Sequence, residues 1–108
     1  MKALSVKQPW ANKIASGEKT IEVRTWYTHY RGPLLIVSSV NPPIAPAGYA
    51  LAVADLVDIR PMRKRDEKMA LCESFDGAYS WVLENIRPIK PFPVRGQKGI
   101  YEVKYNGK

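Results

Sequence analysis

The sequence has one cysteine, Cys72, and one histidine, His29, in 108 residues. A lone cysteine makes no internal disulfide and no thiolate metal cluster, so no metal is expected and a reducing cytoplasm is the expected location. Cys72 is expected to be a small packing residue. A lone histidine with no serine or cysteine partner in a recognisable arrangement is expected on a surface loop. No apolar run approaches the ~20 residues that span a bilayer, so no membrane association is expected. Met1 to Lys7 contains no apolar stretch of signal-peptide length, and export is not expected. Carboxylates are scarce as well: 10 Asp and Glu face 17 Lys and Arg, a formal net charge of +7.

What is present is ordinary for a globular chain. Apolar residues make up 45% and charged residues 25%, which excludes intrinsic disorder. The length suits one domain, residues 1–108, with a real core. An excess of positive charge on a chain this short attracts polyanions, of which nucleic acid is the commonest. Many small proteins are merely basic, however, and charge alone names no site.

The chain divides by turn and periodicity signals. Ala3 to Val6 reads as a short strand. Pro9 suits the first turn of a helix, where its missing N–H costs nothing; Trp10, Ala11 and Ile14 follow at helical spacing, and Gly17 supplies the C-terminal stop. The helix is expected over Pro9 to Ser16. Leu34 to Val37 is an unbroken apolar run, as expected of a strand covered on both faces. Asn41 to Gly48 holds three prolines and reads as a loop. Tyr49 to Ile59 reads as a long strand, Arg63 to Cys72 as a short polar helix, and Tyr79 to Glu84 as a strand. Pro88, Pro91 and Pro93 then predict an extended connection, and Gly99 to Tyr105 a closing strand. About five or six short strands with one or two helices, without a βαβ rhythm, predict an α+β, mainly β fold in the form of a small barrel.

One strand stands apart. Thr20 to Trp26 alternates with period two, so Ile21 and Val23 share one face while Glu22, Arg24 and Trp26 share the other. Lys19 stands at its entrance. A face carrying Glu, Arg and Trp is either a solvated ion pair or the floor of a polar pocket, and spacing leaves both open.

The run Gly17-x-Lys19-x-x-Glu22-x-Arg24 resembles the signature of the ASCH domain (activating signal cointegrator homology), a PUA-like small β-barrel. Leu4 to Ala11 is similar to the opening of a bacterial and phage subgroup of small stand-alone ASCH domains. Tyr30 to Ile36, Tyr79 to Glu84 and the tail Pro93 to Ile100 are similar to further segments of it, in the family's order. The resemblance implies a cleft lined by the Lys–Glu–Arg strand and the first helix, binding RNA or a nucleotide-like ligand and needing no cofactor. It turns the open question about Glu22 and Arg24 towards the polar pocket. Arg24 would give two parallel hydrogen bonds to a phosphate or base edge, Glu22 would accept from an exocyclic amine, and Lys19 would supply a point charge. Trp10 and Trp26 would stack on an unpaired base, although a helical tryptophan such as Trp10 also packs readily into a core. Trp81 is expected in the core. The expected ligand-binding set is Lys7, Gln8, Trp10, Lys19, Glu22, Arg24, Trp26, Arg31, Ser38 and Lys98.

One branch of the family resembles an amidohydrolase of N4-acetylcytidine. It uses the lysine of this signature, a threonine three positions later and a distant glutamate. The lysine carries over to Lys19, but Glu22 occupies the threonine's place and the nucleophile is missing. Lys19 and Glu22 would be the catalytic pair of any hydrolase or ribonuclease here, with Glu22 as general base. The basic stretches Arg60 to Lys68 and Arg87 to Lys108 would add a phosphate track if they flank the cleft, and are otherwise solvated faces.

Overall fold

The computed structural model describes residues 1–105. Six strands form one sheet: β1 (Lys2–Val6), β2 (Ile21–Arg24), β3 (Gly32–Ser38), β4 (Tyr49–Pro61), β5 (Tyr79–Pro93) and β6 (Ile100–Glu102), in the order β2-β5-β4-β3-β1-β6. Two short helices accompany it, α1 (Trp10–Ala15) and α2 (Glu67–Ala70), the latter preceded by a 3-10 turn at Lys64–Asp66. All pairings are antiparallel except β1 with β3. The result is mainly β, as expected.

The apolar run of β3 explains the layering. Leu34 and Ile36 join Leu4, Val6, Ile14, Leu56 and Trp81 in one buried cluster, while Leu35 and Val37 join Ala3, Ala50, Val53 and Tyr101 in a second. Alternate residues of one strand thus feed opposite faces, which is why no polar position interrupts it. Helix α1 packs on β3, β4 and β5 through Ala11 and Ile14.

The sheet curls into a half-barrel, and its two edge strands, β2 and β6, are not hydrogen-bonded to each other. The curl nevertheless brings β2 close to β1, four places away in the strand order: Arg24 Nη2 donates to the Ser5 carbonyl at 2.7 Å. Closure by a side chain replaces closure by a ladder, and the gap left beside it is where the cleft lies.

One local expectation is corrected. The segment with Pro88, Pro91 and Pro93 is not a connection but the second half of β5. Among the described residues no strand pairs with its outer side beyond Val82, so a proline there interrupts no second ladder. Shifts of register along the β4–β5 pair accommodate the rest. The helix at α1 is also shorter than expected, with Pro9 just outside it as N-cap. Trp81 is fully buried and His29 is exposed, as expected.

Candidate functional site

Lys19 reaches the site by way of a turn. The Gly17 N–H bonds the Ile14 carbonyl at 3.0 Å, and the Lys19 N–H bonds the Lys13 carbonyl at 3.0 Å. Gly17 adopts φ +85°, the conformation a helix stop needs, and a Cβ there would meet nothing within 4 Å. The Lys19 side chain then runs inward. It is only 4% exposed, and Nζ donates to the Ala70 carbonyl at the end of α2. Nζ also lies 3.7 Å from Glu22 Oε1 and 5.5 Å from the centre of the Trp10 ring. Burial holds the Lys19 pKa below the ordinary lysine value, against the opposing pull of Glu22.

Glu22 lies directly opposite Trp81 in the β2–β5 register, so it shares the face of that buried ring. The polar face of β2 is therefore turned into the curl, and Glu22 is 7% exposed. Its Oε2 accepts from Arg24 Nε at 3.0 Å and lies 2.9 Å from Arg24 Nη2. With Nη2 also bonded to Ser5, the guanidinium is locked. Arg24 Nη1 makes no hydrogen bond among the described residues.

These three side chains line a cleft of ≈ 660 Å³, within the ~300–1,000 Å³ usual for small-molecule sites. Lys7, Trp10, Ser5, Ser39, Asn41, Cys72, Phe75 and Lys98 complete its wall with Val6 and Val23. Four cations (Lys7, Lys19, Arg24, Lys98) surround the single carboxylate Glu22, and two exposed aromatic rings, Trp10 and Phe75, offer flat surface. Such a lining suits an anionic ligand with a planar polar part. Among the described residues no cluster of three or more His, Cys, Asp or Glu is placed to hold a metal ion, and no helix is long and apolar enough to cross a membrane.

The sequence profile of the ASCH domain matches residues 4–93. The chain belongs to the ASCH domain family. Activating signal cointegrator 1 of Homo sapiens is 25% identical over an alignment 126 positions long, spanning 93% of this chain and 22% of that protein, and the Mus musculus protein aligns equally. The chain thus spans about a fifth of the length of these relatives. The crystal structure of ASCH from Zymomonas mobilis superposes with a TM-score of 0.77 at 18% identity, covering 95% of this chain and 87% of that one. A single-substitution variant of the same protein gives 0.74 at 17% identity. That likeness shows the fold, a curled, mainly β half-barrel with two short helices.

In this ASCH domain the expected residues separate. Lys7, Trp10, Lys19, Glu22, Arg24 and Lys98 come together at the cleft. Gln8 is near but structural: it is buried, and its Oε1 accepts the Asn12 N–H at 3.0 Å, capping α1. Trp26 does not line the cleft. Its ring packs edge-on against Trp81 with centroids 4.7 Å apart, because the face it shares with Glu22 and Arg24 is the covered one. Arg31 also lies elsewhere, bonding the carbonyls of Thr28 and Tyr30 at 2.8 and 2.7 Å and resting on Tyr27. Ser38 lines a smaller compartment beside the cleft. Of the two basic stretches only Lys98 lines the cleft; Arg60 is paired with Asp66 at 2.7 Å and Arg87 with Asp55 at 3.3 Å. Lys108 lies outside the described residues. Cys72 lines the cleft, and Ser5, Asn41 and Phe75 join it from outside the expected set. Asn41 and Phe75 sit in loops whose placement no local pattern encodes. Ser5 was legible only as the polar residue of an otherwise apolar strand.

Proposed function

We propose that the cleft is a nucleic-acid site that takes one unpaired nucleotide of a single-stranded RNA, or a free or modified nucleotide. The observation that carries this reading is the Lys19–Glu22–Arg24 cluster, turned inward yet facing an open cleft beside the exposed ring of Trp10. A buried ion pair is a costly way to stabilise a fold, and its usefulness here lies in the groups it leaves pointing outward. Arg24 Nη1 would donate to a phosphate or base edge. Glu22 Oε1, beyond hydrogen-bond distance from Lys19, would accept from an exocyclic amine. Trp10 and Phe75 would stack on the base, which requires it to be splayed from any duplex. Lys7 and Lys98 would meet the flanking phosphates.

The test is fluorescence anisotropy with a labelled single-stranded RNA pool across salt concentrations. The logarithm of the binding constant is expected to fall with that of salt at about −0.7 per phosphate contacted. Trp10→Ala is expected to weaken binding by about 5- to 150-fold, the range for loss of one stacked base, with an unchanged far-UV spectrum. Binding that ignores both salt and Trp10 sinks the proposal.

The lowered pKa of the buried Lys19 amine favours one second reading, a hydrolase acting on RNA or a modified nucleoside with Lys19 and Glu22 as its pair. Incubation with N4-acetylcytidine and with single-stranded RNA, followed by mass analysis, separates the two. Turnover abolished in Lys19→Ala supports the enzyme, and no product at high protein concentration removes it.

A further inference from the structure

Beside the main cleft lies a second compartment of ≈ 260 Å³, and the two share Ser5, Ser39 and Lys98 as common wall. Ser38, the last residue of β3, lines this compartment alone of the two. It is 1% exposed, and its Oγ has no hydrogen-bond partner among the described residues. The neighbouring hydroxyls are engaged. Ser5 Oγ bonds Tyr101 Oη at 2.6 Å, and Ser39 Oγ accepts the Asn41 N–H at 3.2 Å while donating to the Asn41 carbonyl at 3.1 Å. A buried hydroxyl without a partner is a standing cost to the fold, and such groups are rare in native proteins. Ser38 Oγ is thus a polar group in want of a partner, in a compartment that opens onto a ligand cleft.

The chemistry of the compartment says what that partner is. Its lining is three serines, Gly48 and Gly96, the neutral side chains Val40 and Gln97, and one cation, Lys98, on the wall shared with the main cleft. A neutral lining rich in hydroxyls, with a single charge at the boundary, suits an uncharged sugar inside and a phosphate at the mouth. A base in the main cleft carries such a sugar. Within a strand the 3′ and 5′ oxygens of the sugar belong to phosphodiesters, so the 2′-hydroxyl is its one free hydroxyl. A hydroxyl both donates and accepts, so it complements Ser38 Oγ in either orientation.

We propose that this compartment receives the ribose of the bound nucleotide and that Ser38 selects ribonucleotides over deoxyribonucleotides through the 2′-hydroxyl. The proposal rests on the reading of the main cleft as a nucleic-acid site. Its test compares a labelled single-stranded RNA pool with the DNA pool of the same sequences, at one moderate salt concentration, on the wild type and on Ser38→Ala. The wild type is expected to bind RNA at least about 5-fold more tightly, the contribution of one hydrogen bond. Ser38→Ala is expected to lose that preference while its DNA affinity stays unchanged. Its thermal midpoint is expected to be equal or higher, because an unpaired buried hydroxyl has been removed. Equal binding of RNA and DNA by the wild type, or a preference that survives in Ser38→Ala, overturns this inference and leaves the cleft reading intact. Failure of the wild type to bind either pool overturns both.

Discussion

Replacing Lys19 by methionine separates the needs of the fold from those of the ligand. Lys19 Nζ is 3.7 Å from Glu22, an attraction of roughly 4 kcal/mol at an effective dielectric of about 20. Against it stands the desolvation of a buried ammonium, which costs several kcal/mol. The direction of the Lys19 pKa decides between them. Burial lowers it below the ordinary 10.5 despite Glu22, so the folded site favours the neutral amine more than water does. The charge is a net cost to folding. Removal of one partner usually strands the other, but Glu22 keeps Arg24 at 3.0 and 2.9 Å. Methionine fills most of the lysine's volume but leaves the Ala70 carbonyl without its donor, so Lys19→Met is expected to cost no more than about 2 kcal/mol, a midpoint loss within about 10 °C. RNA affinity is expected to fall several-fold, from loss of one positive charge at the cleft wall. The pH dependence has a definite sign. With the folded pKa lowered, the unfolded chain holds more protons between that value and 10.5, and wild-type stability rises through this window relative to the variant. Urea unfolding at neutral and alkaline pH with matched m-values measures both. A loss above about 2 kcal/mol that does not vary with pH would show that the charge holds the fold together, and the reasoning would fail.

Two further outcomes follow from the geometry around the site. Asp66 is buried and accepts from Arg60 Nη2 at 2.7 Å, Ser80 Oγ at 2.9 Å and the Arg63 N–H at 3.0 Å. Burial alone would raise its pKa, but together these bonds outweigh it and hold the carboxyl below the ordinary 3.8. Its stabilisation is therefore complete above that ordinary value and is lost as pH falls through the lowered one. Asp66→Ala is expected to cost about 3 kcal/mol at pH 7, roughly 15 °C in midpoint, with the gap to wild type narrowing in acid; a gap independent of pH contradicts this. Gly17→Ala is expected to cost about 1 kcal/mol through its positive φ alone, since its Cβ would have room, and Gly17→Asn to cost less. Equal midpoints for the two variants would refute that account.

Much of the frame was legible because its signals are local. The apolar run at Leu34–Val37, the glycine stop after α1 and the three-proline loop each constrain backbone or burial without reference to distant residues. The core position of Trp81 and the gathering of Lys19, Glu22 and Arg24 followed from periodicity and from the resemblance together. The residues that fall outside the expected arrangement share a physical origin. Period two assigns Trp26 to the face of Glu22, but which part of that face another side chain covers is a tertiary fact, and Trp81 covers it. Arg31 carries a charge that a nucleic-acid site would want, yet backbone carbonyls of its own turn claim it first. Cys72 and Phe75 enter the cleft from the segment after α2, whose path depends on how α2 docks against β2.

The prolines of β5 bear on how the molecule behaves in company. A half-barrel that does not close leaves strand edge unpaired, and among the described residues the outer side of β5 past Val82 is paired with no other strand. An unpaired edge invites a strand from a neighbouring chain. Pro88, Pro91 and Pro93 lack backbone donors along this stretch, and Lys90 adds a charge that disfavours the approach of another strand. The residues that look in the sequence like breaks in the strand therefore act as its guard: they leave one sheet complete and deny the next molecule a place to begin another.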